Sequence, residues 1–445
     1  MLLRPLLVAA ALTLVGGTMV ATVGPAAPAD SVTANVATPG AFHGFGFDQC
    51  LAPTQKAMNA WLRQSPYLAV GIYISGASRA CKKQPNLTPT WVSTQLQKGW
   101  KLLPITLGPQ ASCNGRFPRY GNDARISSDP GTHGHYGKAR RQGLAEADKT
   151  VAVATALGLS PGSTMYYDLE GFDATIKSCR DSALAFLSAW TAELHTQHYV
   201  SGVYSSAGSG IKMLDQARVK TPTAYHLPDQ IWIARWDGMA NTSTTYIRDD
   251  GWRPGGRMKQ YLGGHDETWD GVTINIDRNF LSLGSPQAPA ESHCHGVAVD
   301  FPDYPRVTPT ADPALTKAMQ CLLTEQKAYA GRLTGTLNTA TVAAMNAWQQ
   351  AHGLPVRGNW SRRAWMSLLA TGPQPVLKYG STGPSVRDLQ RTLNAATPGT
   401  DLPVNGIFGP RTDLALRGWQ IDVGRDPEGV ANPGIWAALA GGLRA

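Results

Sequence analysis

Residues 166–172 have the sequence YYDLEGF, an apolar run that ends in two carboxylates spaced two residues apart. Because side chains alternate across a β-strand, Asp168 and Glu170 are expected to project to the same side. Like charges held this close resist ionising together, so one acid should keep a proton near neutral pH beside an ionised partner. Cleavage of a glycosidic bond needs that division of roles. Taken alone, the pattern also fits a strand end whose acids are solvated or paired with arginine.

Short apolar runs of the same kind recur along the first two thirds of the chain. The candidate strands are residues 45–48, 68–74, 101–107, 164–170, 200–205, 230–236, 258–262 and 272–277. Amphipathic segments with apolar residues at helical spacing lie between several of them, for example 139–157 and 181–195. This alternation predicts an α/β fold, a (β/α)8 TIM-like barrel. A doubly wound open sheet is the alternative, but no Gly-rich phosphate loop follows an early strand.

Residues that close the strands of such a barrel lie together at its mouth. By this rule Asp48 ends the first strand, Asp168 and Glu170 end the fourth, and Asp277 ends the eighth. These four carboxylates are the candidate catalytic residues. Polar and aromatic groups near the other strand ends are candidate substrate-binding residues: Gln110, Tyr204, Trp236, Asp237, Gln260 and Tyr261. Rings and hydrogen-bonding groups suit the faces and hydroxyls of sugars, although each aromatic taken singly also fits core packing.

The N-terminus predicts export. Arg4 precedes a short apolar run at 6–15, and the small residues at 27–29 suit a cleavage site, so residues 1–29 are predicted to be a secretory signal peptide. No later stretch approaches the roughly 20 apolar residues of a membrane-spanning helix. We therefore expect a secreted, wall-associated protein without a membrane span.

An even number of cysteines in an exported chain predicts disulfides, although spacing leaves their connectivity open. We expect Cys50 to pair with Cys81, Cys113 with Cys179, and Cys294 with Cys321. Histidine pairs at 133/135 and 293/295 fit solvated loops better than a metal site, so neither metal nor cofactor is expected.

The formal net charge of +9 favours anionic surroundings such as a cell wall. The basic residues are scattered rather than gathered on one periodic face, which argues against a nucleic-acid partner. We expect a monomer.

The C-terminal third contains an internal duplication. Residues 285–311, which are rich in Pro, Ser and Ala, are predicted to be a linker. Beyond it, residues 318–323 correspond to 388–393, and 335–341 correspond to 406–412. Tryptophans repeat in the same order, Trp348 with Trp419 and Trp365 with Trp436. We therefore predict a barrel at 40–284 and two small helical modules at 312–372 and 375–445.

Several stretches resemble a known family. They are GFDQC at 46–50, VGIYI at 70–74, GW at 99–100, YDLE at 167–170, SGVYS at 201–205, IWIARW at 231–236 and IDRN at 276–279. In this order they resemble the glycoside-hydrolase-like barrel domain of secreted actinobacterial proteins, long classed as a domain of unknown function. That family is similar to the lysozyme-type muramidases in its D-x-E strand. The resemblance implies that Glu170 is the general acid and that Asp168, Asp48 and Asp277 line the same cleft.

The duplicated modules resemble the peptidoglycan-binding module of cell-wall hydrolases. Residues 386–393 and 404–412 carry this likeness in the second copy. The first copy departs from the pattern, with Leu337-Asn338 where the second has Phe408-Gly409.

These observations together predict a muramidase-like hydrolase of a β-linked amino-sugar polymer such as peptidoglycan. One rival interpretation is a degenerate barrel that binds a wall glycan without cutting it. Another is a barrel that acts on a different polysaccharide, with modules that only localise it.

Overall fold

A computed structural model of the protein describes residues 34–115 and 120–444. The predicted signal peptide lies outside the described residues. Among those described, no helix has the length and apolarity required to cross a membrane.

Eight strands close into one barrel in chain order. They are β1 (Phe42–Asp48), β2 (Ala69–Ser75), β3 (Lys101–Thr106), β4 (Thr164–Asp168), β5 (Val200–Ser206), β6 (Gln230–Ala234), β7 (Gly256–Trp269) and β8 (Val272–Leu283). Strands β1 to β7 run parallel to one another, which confirms the TIM-like barrel.

The eighth strand departs from the predicted repeat, because β8 runs antiparallel to both β7 and β1. Asp270 and Gly271 join β7 to β8 with φ angles of 49° and 70°, the left-handed backbone of a tight two-residue hairpin turn. Both strands are therefore longer than predicted. Asp277 lies within β8 rather than at its end, and it reaches the mouth because its register partner is Asp48, the last residue of β1.

Helices surround the parallel part of the barrel. They are α1 (Gln55–Gln64), α2 (Pro89–Gln97), α3 (Gly137–Ala156), α4 (Lys177–Thr196), a π-helical turn (Ala207–Ile211) and α5 (Lys212–Lys220). Trp61, Trp100 and Trp190 are fully buried in the layer between sheet and helices. Burial of such large apolar surfaces is the main stabilising contribution to this layer.

The three predicted disulfides are confirmed: Cys50–Cys81, Cys113–Cys179 and Cys294–Cys321. Two of them fasten loops at the barrel mouth, since Cys50 follows β1 and Cys113 follows β3. The third joins the segment after the barrel to the first C-terminal helix.

Six helices follow the barrel, three in each copy of the duplication. They are α6 (Pro313–Glu325), α7 (Thr339–Ala351), α8 (Arg362–Leu369), α9 (Pro384–Ala396), α10 (Pro410–Asp422) and α11 (Pro433–Ala440). A buried glutamine in the first helix of each copy accepts a hydrogen bond from a glycine N–H at 3.0 Å: Gln320 from Gly335, and Gln390 from Gly406. Both copies contribute to one continuous apolar core.

The predicted linker packs against the C-terminal helices. Val299, Tyr304 and Val307 are buried in the core that those helices form. The second copy also contacts the barrel, where the ring of Tyr379 packs edge-on against Phe45 and Phe280 of β1 and β8.

Candidate active site

Two cavities that share residues open at the barrel mouth. The larger, of about 970 Å³, is lined by Asp168, Glu170 and Asp277, together with Tyr204, Trp236 and Gln260. The smaller, of about 300 Å³, is lined by Asp48 and again by Asp277. The structure thus brings all four predicted catalytic carboxylates to the walls of one composite site.

Gln260 of β7 lies at the centre of this site. Its amide nitrogen donates to Asp48 Oδ1 at 3.1 Å and to Asp277 Oδ2 at 3.2 Å. Its amide oxygen accepts from the Tyr204 hydroxyl at 3.0 Å and from Trp236 Nε1 at 2.9 Å. One side chain therefore fixes the two acids on one side and the two aromatic residues on the other.

Asp48 and Asp277 are unusual acids because their pKa values lie well above those of ordinary aspartates. Burial raises the pKa of Asp277 to about 8, with further contributions from the charges of Asp48 and Glu170. Burial also raises the pKa of Asp48 to about 6, while hydrogen bonds from Asn279 and Gln260 oppose the rise. Near neutral pH this cluster therefore contains a protonated carboxyl beside an ionised one.

The end of β4 places the other two acids. Asp168 is the last residue of the strand and is buried, and the Tyr73 hydroxyl lies 3.5 Å from its Oδ2 atom. Glu170 follows two residues later and is more exposed. Its Oε1 atom accepts from the Tyr120 hydroxyl at 2.8 Å.

Gln110 does not have the position expected of a residue that contacts a ligand. It is buried, and it does not line either cavity. Its amide nitrogen donates to the Asp168 carbonyl at 2.9 Å, and its amide oxygen accepts from the Glu170 N–H at 2.9 Å. Gln110 therefore holds the main chain that carries both acids.

Asp237 and Tyr261 also lie outside the residues that line the cavities. Both Asp237 oxygens accept from Nζ of the fully buried Lys259 at 3.1 Å, which makes the carboxylate the partner of a buried cation. Tyr261 follows Gln260 in β7, and alternation directs its side chain to the other face of the strand.

The site also contains residues to which the sequence alone assigned no role, among them Asn279, Tyr73 and Arg79. Asn279 donates to Asp48 Oδ1 at 2.6 Å, and its position two residues after Asp277 in a strand was the signal that could have found it. Tyr73 and Arg79 line the smaller cavity from β2 and the loop that follows. No local pattern distinguishes them from core or loop residues.

Comparison with known families agrees with this architecture. Residues 59–281, half of the chain, match the family model described as the Rv2525c-like, glycoside hydrolase-like domain. The chain belongs to this family. Residues 382–439, in the second C-terminal copy, match a putative peptidoglycan binding domain.

Two solved structures and one further protein are similar to parts of this chain. The Mycobacterium tuberculosis Tat-secreted protein Rv2525c is 12% identical, with a TM-score of 0.35, over 54% of this chain and 95% of that one. The Clostridium perfringens spore cortex lytic enzyme SleM is 16% identical, with a TM-score of 0.36, over 55% of this chain and 71% of that one. An uncharacterized protein from the bpoA1 3′ region of Kitasatospora aureofaciens is 30% identical over 103 residues, which are 22% of this chain and 87% of that protein.

The Rv2525c-like domain and the peptidoglycan-binding match together support a function related to cell-wall glycans.

Proposed function

We propose that the protein is a secreted, cell-wall-associated glycan hydrolase. It would cleave a β-linked amino-sugar polymer such as peptidoglycan by carboxylate general acid/base catalysis. The observation that carries this proposal is the convergence of four carboxyl groups on connected cavities, with Asp48 and Asp277 held on one amide nitrogen of Gln260.

The proton needed for leaving-group departure is stored in this cluster. Because the carboxyl groups interact, the proton belongs to the cluster rather than to one residue. Glu170 delivers it to the glycosidic oxygen, since it is more exposed than Asp48 and Asp168 and borders the larger cavity. Asp277, whose pKa is about 8, replenishes it.

The charge that develops on the sugar requires a negative partner. Asp168 lines the same cavity as Glu170 and is positioned by β4, so it stabilises the oxocarbenium-like transition state. Water then attacks the anomeric carbon and gives its proton to an ionised carboxylate of the cluster, which restores the proton that Glu170 donated. An N-acetyl group of the substrate is the alternative nucleophile.

The remaining walls of the larger cavity suit a sugar chain. The Trp236 side chain is 65% exposed, although its Nε1 is fixed by Gln260, so the ring offers a preoriented face for stacking. Tyr204 presents a second aromatic wall. The C-terminal copies would hold the barrel on the wall and raise the local concentration of glycan.

The test is an assay of peptidoglycan hydrolysis, in which the release of new reducing ends from purified peptidoglycan is measured. Glu170→Gln keeps the shape of the side chain and removes the proton donor, so activity should fall about 100-fold or more. Asp148→Asn, at an exposed position on α3, is the matched control and should retain full activity. A protein that sediments with walls but releases no reducing ends, or a fully active Glu170→Gln variant, would refute the proposal.

A further inference from the structure

Arg79 is a half-buried cation on the wall of the smaller cavity. Its Nε atom donates to the Gly76 carbonyl at 2.9 Å, and one terminal nitrogen donates to the Tyr73 carbonyl at 3.1 Å. These two bonds fix the guanidinium plane. The other terminal nitrogen makes no hydrogen bond to any of the described residues.

No described carboxylate forms an ion pair with Arg79. By contrast Arg218, which is also partly buried, contacts Asp215 and Asp250. Arg79 is also the one basic residue among those that line the smaller cavity in the described part of the chain. A fixed guanidinium without a counterion is a ready partner for an anionic ligand group.

Gln49 supplies a second, independent sign of a ligand. It lines the same cavity with 8% of its surface exposed, and its amide nitrogen donates to the Gly71 carbonyl at 3.2 Å. Its amide oxygen is buried and has no hydrogen-bond partner among the described residues. A buried acceptor without a donor costs free energy, and a rotation of the Gln49 amide toward the cavity would let a ligand hydroxyl or amide N–H recover it.

We propose that the smaller cavity is a subsite for a sugar residue that carries a carboxylate. Arg79 binds the carboxylate, and Gln49 accepts from a hydroxyl or N-acetyl N–H of the same sugar. The cavity of about 300 Å³ has room for one such residue. This subsite rests on the proposed function. Because the smaller cavity shares Asp277 with the larger one, the subsite adjoins the bond to be cleaved.

The charge of the cavity favours a single carboxylate over a more highly charged group. Asp48 and Asp277 form another part of its wall, and near neutral pH the pair keeps a proton, so the opposing negative charge is reduced. A phosphate dianion would face stronger repulsion from the same pair.

Monosaccharides test the subsite without hydrolysis, because they contain no bond for the enzyme to cleave. N-acetylmuramic acid and N-acetylglucosamine differ by one lactyl carboxylate, and glucuronic acid and glucose form a second pair with a different carboxylate source. Affinities for the purified protein would be measured by titration calorimetry. We expect the acid of at least one pair to bind about tenfold more tightly than its neutral partner.

Arg79→Gln should abolish this preference while leaving the neutral sugars unaffected. Arg79→Lys keeps the charge without the planar fork and should retain part of it. Arg306→Gln, which removes the same charge at an exposed position in the predicted linker, is the matched control and should leave all four affinities unchanged. Equal affinity for acid and neutral sugars in the unmodified protein would overturn the subsite. Loss of wall hydrolysis alone would overturn only the enzymatic proposal.

Discussion

The Nζ atom of Lys378, in the second C-terminal copy, lies 2.6 Å from the main-chain carbonyl of Leu62 in the barrel helix α1. The same nitrogen also contacts the carbonyls of Trp61, Ser65 and Tyr67, and the residue is fully buried. The last carbonyls of a helix lack partners within the helix and carry the negative end of its dipole. Lys378 therefore caps α1 from another module and joins the two parts of the chain.

Lys378→Met should weaken this junction, because it leaves several buried carbonyls without a donor. We expect the free energy of unfolding to fall by about 1 to 3 kcal/mol, as measured by urea denaturation. Lys317→Met removes an exposed lysine from α6 and should have little effect. If both variants unfold alike, the buried contact does not stabilise the junction.

Asp277 should make the stability of the barrel depend on pH. Its folded pKa of about 8 exceeds the unfolded value of about 3.9, so between these values the folded state binds more protons. The free energy of unfolding should therefore fall as pH rises from about 4 to about 8, by at most about 1.4 kcal/mol per pH unit for this group. Asp277→Asn should flatten the slope in that window, while Asp148→Asn should leave it unchanged.

Gln260→Leu should shift the pH profile of hydrolysis. Its amide lowers the pKa of Asp48 by donating to the carboxylate, so loss of the amide should raise that pKa and move the acidic limb of the profile to higher pH. Gln97→Leu, at an exposed position of α2, is the control. An unchanged acidic limb in Gln260→Leu would show that Asp48 does not govern it.

The sequence predicted the strands well because each is an apolar run with a clear polar end. The prediction that Asp277 lies at the mouth is confirmed, but its reason was wrong. We expected Asp277 to end a parallel eighth strand, whereas it lies within an antiparallel one. A hairpin through Asp270 and Gly271 was readable in principle, as Asp-Gly between alternating runs indicates a tight turn. We did not predict this hairpin because the βα repeat led us to expect a parallel eighth strand.

Side-chain partners were the harder part. Gln260 and Tyr261 were both predicted to bind substrate, yet neighbours in a strand face opposite sides, so at most one of them could enter the barrel mouth. The pairing of Asp237 with Lys259 and the role of Gln110 depend on which loops meet in space. The contact of Lys378 with α1 joins residues more than 300 positions apart, and no local pattern encodes it.

Trp236→Ala should affect substrate binding more than folding. The indole is 65% exposed, so its removal should change the free energy of unfolding by less than about 1 kcal/mol. Loss of a stacking surface should raise KM for wall glycan several-fold with kcat nearly unchanged, since stacking contributes equally to ground and transition states. A fall in kcat at constant KM would instead place Trp236 in transition-state stabilisation.

Gln390→Leu should destabilise the second copy through a defined set of bonds. The amide nitrogen of Gln390 donates to the Ile407 carbonyl at 3.1 Å and to the Thr412 hydroxyl at 3.0 Å, and its oxygen accepts from Gly406 N–H at 3.0 Å. Leucine fills the space but leaves these buried groups unpaired, so we expect a loss of about 2 to 3 kcal/mol in urea denaturation and faster hydrogen exchange at Gly406.

Gln320→Leu provides an internal comparison, because Gln320 makes the equivalent bonds to Thr336, Thr341 and Gly335. The two variants should lose similar amounts of stability, whereas Gln350→Leu, at an exposed position of α7, should lose almost none. Since both copies contribute to one apolar core, each variant should lower the stability of the whole C-terminal region. A Gln390→Leu protein as stable as Gln350→Leu would show that the repeated glutamine follows from the duplication without stabilising the fold.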